Sequence, residues 1–199
     1  MRRISSTAVR TAALAFWWVG LVYGAAPSCP SVEQMTPGQQ LDYLRGDRAS
    51  LPSECIEIAI ERLGEARYAP AADILTSYLD FKVAGKNPPG QNYVIRVQWP
   101  LGDEYPAALA LFRIKLPAAD SLVHAIGDAS SLDIVRVNAA EVLLAMNSAD
   151  MSRAVAALVV ASKGASDAAT AGRLWEAAIS LSRKCPGPEL RSRCESALN

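Results

Sequence analysis

Residues 105–146 read YPAALALFRIKLPAADSLVHAIGDASSLDIVRVNAAEVLLAM, and this stretch decides the fold. Apolar residues recur in it at helical spacing, and small clusters of Pro, Gly and Ser divide it into three segments. We therefore predict three short amphipathic helices joined by tight breaks. Such a succession is typical of a helical repeat array.

A four-residue motif in this stretch has an earlier copy. The sequence PAAD occurs from Pro70 to Asp73 and again from Pro117 to Asp120. Each copy follows an amphipathic segment and a short break, so each proline is expected to open the second helix of a pair. Asp73 and Asp120 are then acids of a first helical turn, where the helix dipole favours them, rather than a catalytic pair.

The same pattern extends to both sides as helical hairpins. Thr36 is predicted to cap a short first helix, after an irregular start at residues 27–35. Ser53 precedes an apolar stripe of helical period, and Gly64 is expected to end that helix. Trp175 is expected to anchor the last layer of the core. The predicted hairpins are residues 53–81, 105–128, 131–164 and 166–198, with an irregular insertion at 82–104.

Three segments resemble the phycobilisome-lyase-type HEAT-like repeat family. They are LGEARYAPAADIL (63–75), FRIKLPAADSLVHAI (112–126) and DIVRVNAAEVLLAM (133–146). The resemblance implies an all-α fold, a short right-handed α-solenoid of antiparallel helix pairs, used for protein interaction. It implies no lyase activity. The chain departs from the family pattern at Lys115, where the family commonly has Gly, and at Ser53, where Asp is usual.

The resemblance also implies a role for two charged residues of the third segment. In arrays of this type Asp133 and Arg136 are expected to pair at a repeat turn. We expect a partly exposed ion pair that contributes less than ~1 kcal/mol. Replacing Arg136 by Ala should then lower stability only slightly.

The N-terminus predicts export. Residues 1–25 have a basic start, an apolar block (TAALAFWWVGLV, 11–22) and small residues at a cleavage position, as a secretory signal has. The remainder, residues 26–199, is then a single HEAT-like repeat domain in the periplasm or outside the cell. The alternative is an uncleaved N-terminal membrane anchor, because Trp17 and Trp18 lengthen the apolar block.

Four cysteines follow this segment and agree with an oxidising compartment. They are Cys29, Cys55, Cys185 and Cys194. Four cysteines allow three pairings, and distance along the chain favours Cys29–Cys55 with Cys185–Cys194. A free buried thiol at Cys55 is the alternative.

Charge and residue types argue against several classes of function. The three arginines of residues 1–25 reduce the 20 basic residues to 17, against 20 acids, so the rest of the chain has no basic footprint for nucleic acid. His124 is the single histidine, so a metal site built from several histidines lacks its ligands, and we interpret His124 as a packed or half-exposed helix residue rather than a catalytic base. Asp103 and Glu104, beside Trp99, are the nearest candidates for a pair of catalytic carboxylates. We predict a protein without enzymatic activity, cofactor or metal.

The insertion at 82–104 interrupts the helical pattern. Its sequence, KVAGKNPPGQNYVIRVQWPLGDE, surrounds a short extended run with Pro and Gly. Loops of this length inside compact domains are often functional. Tyr93, Arg96 and Trp99 are residue types enriched at binding hot spots, and we predict them as a protein-binding edge. The alternative is that Trp99 and its apolar neighbours cover the core.

These patterns together favour an exported, non-catalytic protein-interaction or scaffold module whose partner is another protein. The alternative is a structural or accessory component of a cell-envelope assembly, which could associate through its end repeats. Contact with a membrane is expected only if the N-terminal segment stays uncleaved.

Overall fold

The computed structural model describes residues 29–83, 100–146 and 151–199. These residues form helices and turns and contain no strand, which confirms the all-α class. No helix within these ranges has the length and the apolar character that crossing a membrane requires. In chain order the helices are α1 (Pro30–Glu33), α2 (Pro37–Leu44), α3 (Ser53–Glu65), α4 (Ala72–Ser77), α5 (Pro100–Glu104), α6 (Pro106–Ile114), α7 (Ala119–Gly127), α8 (Asp133–Met146), α9 (Ser152–Lys163), α10 (Ala168–Lys184) and α11 (Gly187–Ser196).

The helices pack in two successions of neighbours. Helix α3 packs on α6, α6 on α8, and α8 on α10, while α4 packs on α7, α7 on α9, and α9 on α11. Alanine and leucine from both successions fill one continuous apolar core. Two helices lie in each predicted hairpin range, and their antiparallel pairing stays a prediction.

The start of the described chain differs from the irregular segment that the sequence predicts. A single helical turn, α1, occupies Pro30–Glu33. The predicted cap of the next helix is confirmed, because the Thr36 side chain accepts from the Gln39 backbone N–H at 3.4 Å. The Gln39 side chain in turn accepts from the Thr36 backbone N–H at 2.9 Å. This reciprocal capping box satisfies two amides that the helix itself leaves unpaired.

Helix α3 does not end at Gly64, so that prediction was wrong. The chain leaves the helix at Arg67, which has a left-handed φ of 48°. The N–H of Arg67 donates to the Gly64 carbonyl at 3.1 Å, and the N–H of Tyr68 donates to the Leu63 carbonyl at 3.0 Å. This is the Schellman pattern, with Arg in the place that Gly usually takes. Gly64 itself lies inside α3 and is buried.

The absence of a side chain at Gly64 allows α3 to touch α6. A Cβ built on Gly64 would lie 2.6 Å from the Cα of Ala110 and 2.7 Å from its Cβ. Real carbon atoms do not approach that closely, and both contacts involve atoms that cannot rotate away. The two helix backbones therefore cross at their closest where Gly64 meets Ala110.

The two copies of PAAD adopt the same local structure. Each proline lies in a 3-10 turn, at Ala69–Ala71 and at Leu116–Ala118, and an α-helix begins directly after each turn. Asp73 and Asp120 fall in the first turns of α4 and α7, as predicted. The prolines thus precede the second helices instead of opening them.

Arg136 is buried, and the prediction of a partly exposed ion pair was wrong in this respect. Its side chain is 7% exposed, and its guanidinium lies 3.4 Å from the Asp133 carboxylate. The same guanidinium donates to the Asp128 carbonyl through Nη2 at 2.9 Å and through Nε at 3.3 Å. Asp128 is the cap residue at the C-terminus of α7. Arg136 therefore joins the end of α7 to α8, because it satisfies a carbonyl that the helix leaves unpaired.

Trp175 does not anchor the core as the sequence predicts. It lies on α10 with 38% of its surface exposed. The last core layer is instead formed by smaller residues of α10, namely Leu174, Ala177, Ala178 and Leu181.

Both predicted disulfides are confirmed. Cys29 pairs with Cys55 at a Cα–Cα distance of 5.3 Å, and Cys185 pairs with Cys194 at 6.6 Å. The first joins the start of α1 to α3, and the second joins the end of α10 to α11. No cysteine stays free, so the alternative of a free thiol at Cys55 was wrong.

The Gly64–Ala110 contact leads to a first prediction. Gly64→Ala should destabilise the fold by roughly 2–4 kcal/mol, because the added methyl group overpacks a backbone crossing. Gly127→Ala, at a helical glycine with nothing within 4 Å of the added Cβ, is the matched control. It should leave stability unchanged or raise it by up to about 1 kcal/mol. Urea unfolding followed by circular dichroism measures both, and equal effects would contradict the close contact.

Burial of Arg136 leads to a second prediction. Arg136→Ala should cost about 2–4 kcal/mol, since it removes a buried side chain together with its hydrogen bonds to the Asp128 carbonyl and its ion pair with Asp133. The control is Arg153→Ala, which removes an ion pair to Asp120 whose side chains are 70% and 84% exposed. That change should cost less than about 1 kcal/mol. Equal shifts in the two urea midpoints would show that Arg136 behaves as a surface residue.

Asp133 leads to a prediction on pH. Hydrogen bonds from the Ser166 hydroxyl and from the Ser166 backbone N–H hold the pKa of Asp133 below its ordinary value. A carboxyl group whose pKa falls on folding contributes stability above its unfolded pKa of about 4, and this contribution is lost as the pH falls through the folded value.

The measurement is the free energy of unfolding between about pH 5 and pH 2, the range in which an Asp with a lowered pKa takes up its proton. Asp133→Asn keeps an acceptor oxygen for Ser166 but cannot titrate. Its stability should therefore fall less steeply with acid than that of the unchanged chain. Asp103→Asn, at an exposed position, should follow the unchanged chain. A slope that Asp133→Asn leaves unaltered would contradict the assignment.

Candidate functional site

The predicted binding residues lie outside the described part of the chain. Tyr93, Arg96 and Trp99 fall between residue 83 and residue 100, where the described ranges are interrupted. The structure does describe both ends of the insertion. Its last residues, expected to be irregular, form the short helix α5 (Pro100–Glu104).

The two ends of the insertion are bonded to each other. The backbone N–H of Val83 donates to the Glu104 carbonyl at 2.9 Å. The Lys82 ammonium pairs with the Glu104 carboxylate at 2.8 Å and lies 5.8 Å from the centre of the Tyr105 ring. The hydrogen bond to Glu104 raises the pKa of Lys82. We call these four residues, Lys82, Val83, Glu104 and Tyr105, the neck. At the neck the chain comes back to the place at which it left the helices.

The residues just before the neck are fixed by an arginine from an earlier turn. The Arg48 guanidinium pairs with the Asp80 carboxylate at 2.7 Å. It also lies 4.9 Å from the ring centre of Tyr78 and 5.5 Å from that of Phe81, which allows a cation–π contact with each ring. The neck therefore continues from a segment that is held by both charge and ring contacts.

Tyr78 is buried beside Arg48 and connects two helices through its hydroxyl group. Its ring is buried, and its hydroxyl donates to the Leu44 carbonyl at 2.9 Å. Burial raises the pKa of Tyr78, with the Arg48 charge acting in the opposite direction. The tyrosine thus stays a neutral donor that joins the end of α4 to the end of α2.

A groove of about 560 Å³ borders this cluster. The residues that line it include the charged Asp47 and Arg48 and the apolar Leu51, Ile56 and Phe81. Arg48 already has a carboxylate partner in Asp80, so the groove offers a paired charge beside an apolar wall. Such a surface suits a side chain or peptide segment of mixed character better than an isolated anion.

The acidic candidates of the sequence are not brought together as a catalytic pair. Glu104 is engaged by Lys82 in the neck. Asp73 accepts from the Ser121 hydroxyl at 2.5 Å, and Asp120 pairs with Arg153 at 2.9 Å. The last two contacts join α4 to α7 and α7 to α9, so these acids connect neighbouring helices.

The structure also describes the single histidine and the residues that could hold a metal ion. His124 is exposed on α7. Among the residues of the three described ranges, no group of three His, Cys, Asp or Glu side chains is placed to hold a metal ion.

The Arg48 cluster is the part of this site that sequence reasoning missed. Arg48 and its partner Asp80 lie 32 residues apart, and no motif connects them. Only the packing of the turn before α3 against the end of α4 brings them together. The sequence RGDR around Arg48 gives no signal of this contact.

Comparisons with family models, with curated proteins and with solved structures found no match to this chain.

Proposed function

We propose that this chain is an exported, non-catalytic protein-interaction module, a short right-handed HEAT-like solenoid that presents its insertion to a partner protein. The observation that carries the proposal is the neck. Because Val83 and Lys82 bond to Glu104, residues between them can contact a partner without disturbing the helices.

Two features support the repeat scaffold. The PAAD segments at Pro70 and Pro117 have the same sequence of 3-10 turn and α-helix. First helices contact first helices and second helices contact second helices, as they do in stacked hairpins. Second helices also contact the first helix of the next range, as α7 contacts α8 and α9 contacts α10.

Two features support export. The disulfides at both ends of the described chain fit an oxidising compartment, such as the periplasm or the outside of the cell. Residues 1–25 also have the basic start and the apolar block of a secretory signal. Retention at a membrane through residues 1–25 is the alternative to a released protein.

The Arg48 groove supports the proposal that the partner binds near the neck. It lies against Phe81, at the root of the neck, and combines apolar wall with paired charges. Non-obligate protein interfaces have this mixed composition. Tyr93, Arg96 and Trp99 are the proposed contacts within the insertion.

A test should separate loss of binding from loss of fold. Residues 86–99 are replaced by a short Gly-Ser linker that keeps Lys82, Val83 and Glu104. The neck then still closes, and lengthening or shortening a closed loop changes stability by less than about 1 kcal/mol. A second variant carries Tyr93→Ala, Arg96→Ala and Trp99→Ala together.

Both variants should keep the urea midpoint and lose the partners that chemical cross-linking captures from the envelope fraction, identified by mass spectrometry. The matched control is Asp120→Ala with Arg153→Ala, which removes an exposed ion pair on α7 and α9. The control should keep every partner. An unchanged set of partners in the linker variant would refute the insertion as the binding element.

A second candidate function is a structural component of an envelope assembly. The exposure of Trp175 on α10 favours it, because a large apolar side chain at the surface is typical of an association face.

A further inference from the structure

Helix α11 is attached to the rest of the domain mainly by one disulfide. The bond between Cys194 of α11 and Cys185 joins it to the end of α10, and α11 packs on α9 and α10. Among the residues of α11, Cys194 is the buried one and Leu190 is partly buried, while the others are exposed. Just beyond the helix, Ala197 and Leu198 are partly buried against the core.

The polar bonds of α11 stay within this helix. Arg193 pairs with Glu189 at 2.8 Å, and the Ser196 hydroxyl donates to the Ser192 carbonyl at 2.8 Å. Across the described part of the chain, no hydrogen bond or ion pair joins α11 to another helix. Helices α8, α9 and α10, by contrast, each have a polar side chain bonded to a neighbouring helix or to the residue that ends it.

A helix of this length depends on its attachment for stability. Helix α11 has 10 residues, and isolated helices shorter than about 12–15 residues are marginal in water. No side chain caps its first turn. Without the disulfide, only the burial of Cys194 and the partial burial of three apolar side chains would favour its docking. Ordering the segment costs conformational entropy, which the disulfide reduces by restricting the undocked chain.

We propose that α11 is a redox-dependent cover, which the Cys185–Cys194 disulfide holds on α9 and α10 and which reduction of that disulfide releases. The reductant is a dithiol, in a protein one of the Cys-X-X-Cys class. One thiolate of the dithiol attacks a sulfur of the pair, the S–S bond breaks and a mixed disulfide forms. The second thiolate then displaces the bound cysteine, so two electrons and two protons pass from the dithiol to the cysteine pair.

Release of the cover stays local because the rest of the domain does not use this bond. The other disulfide, Cys29–Cys55, lies at the opposite end of the described chain. Helix α10 keeps its packing on α8 and α9, and Lys184 keeps its bond to the Leu144 carbonyl. The reduced chain therefore exposes the parts of α9 and α10 that α11 covers. This change of surface does not depend on whether the insertion binds a partner.

Hydrogen–deuterium exchange read by mass spectrometry tests the cover on the full chain. In a variant with Cys185→Ser and Cys194→Ser, the amides of α11 should exchange at least about tenfold faster, while those of α8 and α10 keep their protection. The matched control carries Cys29→Ser and Cys55→Ser and keeps the bond to α11. Its α11 amides should exchange as in the unchanged chain.

The unchanged chain gives a second readout that needs no substitution. Dithiothreitol is the probe, and alkylation of the freed thiols shows which pair has been reduced. Loss of protection in α11 should follow the alkylation of Cys185 and Cys194, and reoxidation with oxidised glutathione should restore it.

Two results would overturn the proposal. If α11 keeps its protection without the disulfide, then packing alone holds it and reduction releases nothing. If α8 and α10 lose protection together with α11, then the bond supports the whole domain and is not a local switch.

Discussion

The contact between Gly64 and Ala110 is the constraint on which the arrangement of the first helices depends. It sets the crossing of α3 and α6 at backbone distance, with no side chain between them. Helix α4 also packs on α6. The chain leaves the helices after α4 and re-enters them at α5 and α6, and the bond from Val83 to Glu104 joins these two places.

Short helices leave many backbone carbonyls near the core, and long polar side chains from neighbouring helices satisfy them. Arg136 of α8 donates to the Asp128 carbonyl at the end of α7. Asn138, also of α8, donates to the Leu79 carbonyl just beyond α4 at 2.7 Å. Lys184 of α10 donates to the Leu144 carbonyl in the last turn of α8 at 2.7 Å. Each bond ties one helix to the C-terminal end of another, which fixes how far adjacent helices can slide.

The sequence predicted what local chemistry determines. Helix positions followed from the period of the apolar residues, and the first cap followed from Thr36 and its proline. Cysteine pairing followed from distance along the chain. The errors concern residues whose surroundings come from distant parts of the chain. Gly64 was taken for a helix end because glycine often ends helices, yet its role comes from Ala110. Likewise the burial of Arg136 depends on where α7 ends, and the exposure of Trp175 depends on how α10 packs on α8 and α9, with Leu174 and Ala178 in the core instead.

Lys115 adopts a backbone conformation that residues other than glycine rarely take. Its φ of 70° and ψ of −141° belong to a region that glycine favours. A side chain in that conformation costs on the order of 1–3 kcal/mol. The Lys115 ammonium lies 3.6 Å from the centre of the Phe112 ring, a contact that offsets part of this cost.

The neck also determines where the loop between α4 and α5 closes. The free energy of closing a loop grows only with the logarithm of its length, about 0.6 kcal/mol for each doubling. The bond from Val83 to Glu104 closes this loop at its base. The described helices are held by the Gly64 crossing and by side chains such as Arg136, whose partners lie within the described residues.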